Sequence, residues 1–222
     1  MASVTQSFFR LFRGEQTGAA AGSEVGSKEP RPKRHSSGLA EFTKVIAGRE
    51  NLCILDLGPT SPQNISLLTG MGHRVYNEDV LLASMDPSLF TKNDDGSSTL
   101  NLEAFLAENL KYSGEQFDAI LAWDIPDYLH ESLVKAMVAR LAAVMKPGGV
   151  LLAFFHTRDA GPEAPYYRYH IGGKDSLDLQ RGPQFRLQRV FNNRHIENLF
   201  REFSNIKFFL ARDNVREVLV VR

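Results

Sequence analysis

The chain has 222 residues, 43% hydrophobic and 23% charged, the balance of an ordinary folded domain. Its net charge is zero and it holds one cysteine, which gives no signal of a polyanionic partner, excludes a disulfide framework and argues against a thiolate metal cluster. No stretch approaches the roughly 20 consecutive apolar residues that span a bilayer, and without a signal-peptide pattern a cytoplasmic location is expected.

Residues 1–38 are expected to form a flexible tail. SFFRLFR, Ser7–Arg13, is an aromatic and basic patch that could touch a partner. The Gly, Ala, Ser and Pro-rich stretch after it buries too little apolar surface to repay its ordering entropy. KEPRPKRH reads as a solvated linker.

Residues 39–222 read as one domain of alternating strands and helices. Leu39, Phe42, Val45 and Ile46 recur at helical spacing. Leu52–Leu57 is an apolar strand that runs into a tight turn at Gly58 and Pro59. A helix follows over Pro62–Gly70, then a strand over His73–Asn77. A short third strand is expected near Leu89, Phe90 and Thr91, closed by the NDDGSS turn, with a helix over Leu100–Leu110. FDAILAW, Phe117–Trp123, and VLLAFF, Val150–Phe155, are near-continuous apolar strands, the pattern of a sheet covered on both faces. Between them lies an amphipathic helix, Leu133–Met145, stopped by a turn at Lys146-Pro147-Gly148-Gly149.

Thr157–Gly182 is a long polar and aromatic connection, and Phe185–Phe191 reads as a strand or the arm of a lid. A helix over Arg194–Phe203 precedes Ile206–Leu210 and Val215–Val221, a closing antiparallel hairpin. The fold class is α/β, a doubly wound sheet.

Several residues could carry chemistry. Gly58 lets the backbone turn tightly and approach a ligand, or simply turn. Asp79 can accept two hydroxyl donors at a strand end, or cap a helix. Thr60 and Ser61 can cap the next helix with no ligand present. Trp123 is a ligand wall or a core residue, and Asp124 follows it. His156, just past the fifth strand, is the best-placed general base, and the alternative is a polar loop residue. His130 and Asp127 follow the fourth strand. Tyr166, Tyr167, Tyr169 and His170 could line a lid or pin their own loop. His156, His170 and His195 have no metal-ligand spacing. Cys53 reads as a small buried apolar residue.

Four stretches together resemble the class I S-adenosylmethionine-dependent methyltransferase family: ILDLGPTSP (Ile54–Pro62), GHRVYNED (Gly72–Asp79), FDAILAWDIPDYL (Phe117–Leu129) and LAAVMKPGGVLLAFF (Leu141–Phe155). The resemblance implies a mostly parallel, seven-stranded sheet of order 3-2-1-4-5-7-6 with an antiparallel C-terminal hairpin, in three α/β/α layers. It implies S-adenosyl-L-methionine at the carboxyl ends of the strands. Asp56, Gly58, Thr60 and Ser61 would lie beside the methionine part and Asp79, or Glu78, beside the ribose. Trp123 and Asp124 would edge the cleft. Thr60 and Pro62 stand where the family has glycines, which adds bulk and, at Pro62, removes an amide donor. DIPDY, Asp124–Tyr128, does not match the Asp-Pro-Pro-Tyr motif of nucleic-acid amine methyltransferases.

The expected activity is methyl transfer to a small-molecule acceptor. The alternative is a non-catalytic binding or interaction domain with the same sheet. A nucleotide-dependent oxidoreductase is a third reading, and the G-x-G-x-x-G fingerprint it needs is absent.

Overall fold

The computed structural model describes residues 31–158, 166–183, 185–210 and 213–222. The aromatic patch at Ser7–Arg13 lies outside them. In chain order, strand β1 (Lys33–His35) leads to helix α1 (Ser37–Ile46), β2 (Cys53–Asp56), α2 (Pro62–Gly70), β3 (Arg74–Asn77) and the single turn α3 (Val80–Ala83). Then come β4 (Phe90–Lys92), β5 (Ser98–Leu100), α4 (Leu102–Glu108), β6 (Phe117–Trp123), α5 (Ile125–Tyr128) and α6 (Glu131–Val144). The chain ends with β7 (Met145–His156), β8 (Tyr167–Ile171), β9 (Ser176–Arg181), α7 (Asn193–Leu199), β10 (Asn205–Leu210) and β11 (Val215–Val221).

The main sheet has six strands in the order β10-β11-β7-β6-β2-β3. β2 pairs in parallel with β3 and β6, and β6 with β7. β11 runs antiparallel to both β7 and β10, so the closing hairpin is present. The apolar runs at β2, β6 and β7 take the centre, and every residue of β6 is buried. Neighbouring residues on β2 point to opposite faces, Leu55 into one core and Ile54 into the other. The first core gathers Phe117, Met137, Leu141, Phe155 and Ile196 under α4, α6 and α7. The second gathers Leu39, Phe42, Leu68, Trp123 and Phe154 under α1 and α2. Helices thus flank a mostly parallel sheet on both faces.

Three expectations change. The third strand near Leu89–Thr91 does not join the main sheet, so among the described residues that sheet has six strands and not seven. Phe90–Lys92 instead pair with Ser98–Leu100 as a separate hairpin. All three residues of β4, Phe90 included, are exposed, so the strand packs on neither core, and Gly96 at φ +81° turns the chain straight back. The Lys146–Gly149 turn is the first part of β7, because Met145 already pairs with Phe117. Residues 185–192 form no regular element; the Gln188 and Arg189 amides donate to the Asp127 carbonyl.

Folded structure also begins before Leu39. β1 pairs with β9, which pairs with β8, in a small three-stranded antiparallel sheet. The Arg34 guanidinium is 7% exposed, ion-paired to Asp213 and Glu217, and lies 5.0 Å over the Phe154 ring. Glu217, 1% exposed, also accepts from the Ser36 hydroxyl at 3.0 Å and the Gly38 amide at 2.5 Å. Ser36 in turn caps α1 by accepting from the Leu39 amide. A Cβ at Gly38 would stand 2.8 Å from the Glu217 carboxylate, so glycine is required by space. Residues 31–38 therefore belong to the domain rather than to a tail. Among the described residues no helix is long and apolar enough to cross a membrane.

Candidate active site

The carboxyl end of β2 delivers Asp56 into a pocket of hydrogen-bond donors. Its Oδ1 accepts from the Trp123 indole at 2.7 Å and the Gly58 amide at 3.1 Å, and its Oδ2 from the Asn64 amide at 3.0 Å. Burial pushes this carboxyl above its ordinary range, while the three donors pull it back. Asn77, at the end of β3, closes the loop from the other side. Its amide donates to the Asp56 and Gly58 carbonyls at 3.0 and 2.8 Å, and its oxygen accepts from the Thr60 hydroxyl at 2.5 Å.

The space above Gly58 is taken by Trp123. A Cβ there would lie 3.0 Å from the indole Cδ1 and 3.2 Å from Nε1. Trp123 has φ +49°, a left-handed conformation that an aromatic residue rarely adopts. The β6–β7 register shifts between Leu121 and Trp123, and that irregularity brings the indole back over β2. The Tyr169 ring stacks on the indole at 5.3 Å and 10°, and its hydroxyl donates to Asp124 Oδ2 at 3.0 Å.

β8 is fastened across the start of α2. Ser61 caps α2 through the Asn64 amide and its hydroxyl meets His170 Nδ1 at 2.7 Å. Asn64 accepts from the Ile171 amide at 2.7 Å and donates to the Tyr169 carbonyl at 3.2 Å. Gln63 donates to the Ile171 carbonyl at 3.0 Å.

A second cluster sits at the carboxyl ends of β6 and β7. Asp127 Oδ2 accepts from the His156 amide at 2.6 Å and from His156 Nδ1 at 2.8 Å. With Asp127 ionised, Nδ1 is the donor and Nε2 is the nitrogen left to take up a proton. Burial pulls the imidazole down, but the bond to Asp127 and the charges of Asp124 and Asp127 outweigh it and raise its pKa. Burial pushes Asp127 up and Asp124 up to about 7. Asp124 Oδ1 and Asp127 Oδ1 are buried with no partner among the described residues. The Tyr128 ring lies edge-on to His156 at 5.9 Å.

Of the residues singled out in the sequence, Asp56, Gly58, Ser61, Trp123 and Asp124 are drawn into one bonded network that reaches Thr60 through Asn77. His156 stands in the adjoining cluster. Asp79 is separate: it caps α3, its Oδ1 accepting from the Leu82 amide at 3.0 Å. Glu78 accepts from the Leu110 amide at 2.8 Å. Asn77 and Asn64 were missed as site residues. Their sequence signal was slight: a polar residue ending a strand, and an amide three positions after a capping serine. A groove of about 530 Å³ lies elsewhere, between α6 and α7, lined by Val138, Arg189 and His195 among others.

No family model and no curated protein matches the chain. Solved structures do. An S-adenosylmethionine-dependent methyltransferase from Archaeoglobus fulgidus matches with TM-score 0.50 at 9% identity, over 83% of this chain and 91% of that one. The 1,6-didemethyltoxoflavin-N1-methyltransferase of Burkholderia thailandensis, solved with 1,6-didemethyltoxoflavin and S-adenosylhomocysteine, gives 0.47 at 15% identity, over 84% and 79%. An S-adenosylmethionine-dependent methyltransferase from Mesorhizobium loti gives 0.46 at 15%, over 82% and 98%. The likeness to the Archaeoglobus protein is one of fold: the Rossmann-like architecture of class I methyltransferases.

The sequence resemblance would put S-adenosylmethionine at the Gly58 corner. In the arrangement described, the residues there do not fit it. The indole fills the space over Gly58, Asn77 occupies the Gly58 carbonyl, and both Asp56 oxygens are bonded within the protein.

Proposed function

We propose that the chain is an S-adenosylmethionine-dependent methyltransferase acting on a small-molecule acceptor in the cytoplasm, with His156 as general base. The observation that carries this reading is the Asp127–His156 pair, set at the strand ends of a methyltransferase fold. A buried acid beside a histidine whose proton affinity is raised is poorly explained by packing alone and suits proton transfer near neutral pH. His156 Nε2 accepts the proton of a hydroxyl or amine acceptor. Asp127 fixes the ring's tautomer and stabilises the imidazolium, as the acid of a catalytic dyad does. Asp79 is the proposed ribose partner, and Asp56, Gly58, Thr60, Ser61, Trp123 and Asp124 form the proposed methionine side of the cleft once it opens.

A second reading, a non-catalytic binding domain with the same sheet, is favoured by one observation: the indole packed over Gly58. Calorimetric titration with S-adenosylmethionine and S-adenosylhomocysteine separates the two. Saturable binding of either is expected, with methyl transfer to hydroxyl or amine acceptors lost in His156→Gln. Absence of binding at millimolar ligand, in the wild type and in the opened variants below, overturns the first reading in favour of the second.

A further inference from the structure

We propose that Trp123 and β8 form an intramolecular plug that holds the cofactor corner shut and must withdraw before a ligand enters. The proposal rests on the methyltransferase reading above. Trp123 and Tyr169 are buried members of the second core, and three features set their contact apart within it. First, among the described residues β8 is an edge strand of the small sheet that pairs with β9 and has no backbone ladder to the main sheet. Side chains of Ser61, Gln63 and Asn64 hold it to α2. Second, the plug's two rings are stacked on each other, so movement of Tyr169 removes one wall of the indole site. Third, Trp123 keeps a left-handed backbone while its indole is bonded to Asp56. Such a residue persists only when its surroundings over-determine it. Once Tyr169 leaves, relaxation of Trp123 to an extended conformation carries the indole off Gly58.

A closed corner weakens ligand binding by the fraction of molecules that are open, so opening it must strengthen binding by the same factor. Tyr169→Ala should bind S-adenosylhomocysteine at least about tenfold more tightly than wild type, the factor expected if fewer than one molecule in ten is open. Tyr169→Phe keeps the stack and loses only the bond to Asp124, so it should fall between the two. Tyr167→Ala, on the same strand and outside the stack, should match wild type. Circular dichroism and thermal melting select folded variants, and the conservative Tyr169→Phe keeps the test alive if the alanine variant unfolds.

Trp123 is the chain's one tryptophan, which supplies a readout independent of affinity. Saturating S-adenosylhomocysteine should shift its emission to the red and expose it to acrylamide quenching. If wild type and Tyr169 variants bind equally, or if bound ligand leaves Trp123 emission unchanged, the plug is wrong and the methyltransferase reading stands. If folded variants, like the wild type, bind nothing, the methyltransferase reading itself falls.

Discussion

Asp124 is a carboxyl buried at the carboxyl end of β6. It is 1% exposed, one oxygen is bonded to Tyr169, and burial pushes its carboxyl up to about 7. In the unfolded chain it would ionise near pH 4, at roughly the value of a free aspartate. The stability that comes from keeping it protonated is therefore complete below about pH 4 and is lost as pH rises through about 7. Asp124→Asn removes the ionisation and keeps the shape. Its stability relative to wild type should grow between pH 5 and pH 8 by on the order of 2 kcal/mol. Melting curves across that range check this; parallel pH profiles for the two proteins would refute it. His156 has the same sign, since its raised pKa gives stability that is present below about 6.5 and lost as pH rises through the folded value. Asp127→Asn should lower the His156 pKa, because it removes the hydrogen-bonded carboxylate that raises it, and the change is read from the ring resonances by NMR. A histidine that titrates unchanged would dissolve the proposed pair. The places of Asp56, Gly58, Ser61, Trp123 and Asp124 at strand ends and turns are legible, because such breaks announce themselves in sequence. The direction of the Trp123 indole is not. It depends on a backbone irregularity that no apolar pattern encodes.

Among the elements, β1 shows best why some structure escapes a reading of sequence. Lys-Arg-His has no apolar residue and sits in a linker-like stretch. Arg34 is buried only because Asp213 and Glu217, far along the chain, converge on it. Removing one member of such a group strands the others. Arg34→Met should cost roughly 3–5 kcal/mol, the range for an uncompensated buried charge. Arg34→Met combined with Glu217→Gln should recover part of that loss, because the amide no longer needs a counter-charge. Urea unfolding midpoints decide the matter; a wild-type midpoint for Arg34→Met would make the network dispensable. β8 and β9 were read as part of a long connection for a related reason. Tyr167–Ile171 is only partly apolar, its backbone partner is a small sheet, its side-chain fastenings are at the start of α2, and only Tyr169 and Ile171 reach the second core.

At the scale of the molecule, the centre of the sheet was the most legible part. Leu52–Leu57, Phe117–Trp123 and Val150–Phe155 contain the runs that become β2, β6 and β7, since strands covered on both faces need apolar residues throughout. The edges were less so. An edge strand needs fewer apolar residues, and the candidate at Leu89–Thr91 folded on itself instead. The other edge carries a different lesson. β11 lies between β7 and β10, so the strand before it in sequence, β10, joins the sheet through a strand made later. β11 also carries Glu217, which receives Arg34, Ser36 and Gly38 from β1 and the start of α1. On the ribosome, β10 has no neighbour on the sheet until Val215–Val221 emerge, and the β1–α1 segment, though it can pair with β9, lacks the Glu217 carboxylate. Both wait, with Leu39 and Phe42 still short of their full burial. Nascent chains of this protein thus pass through a stage in which most of the sheet can be paired while its two fastenings remain open, which is when chaperones would find most to hold.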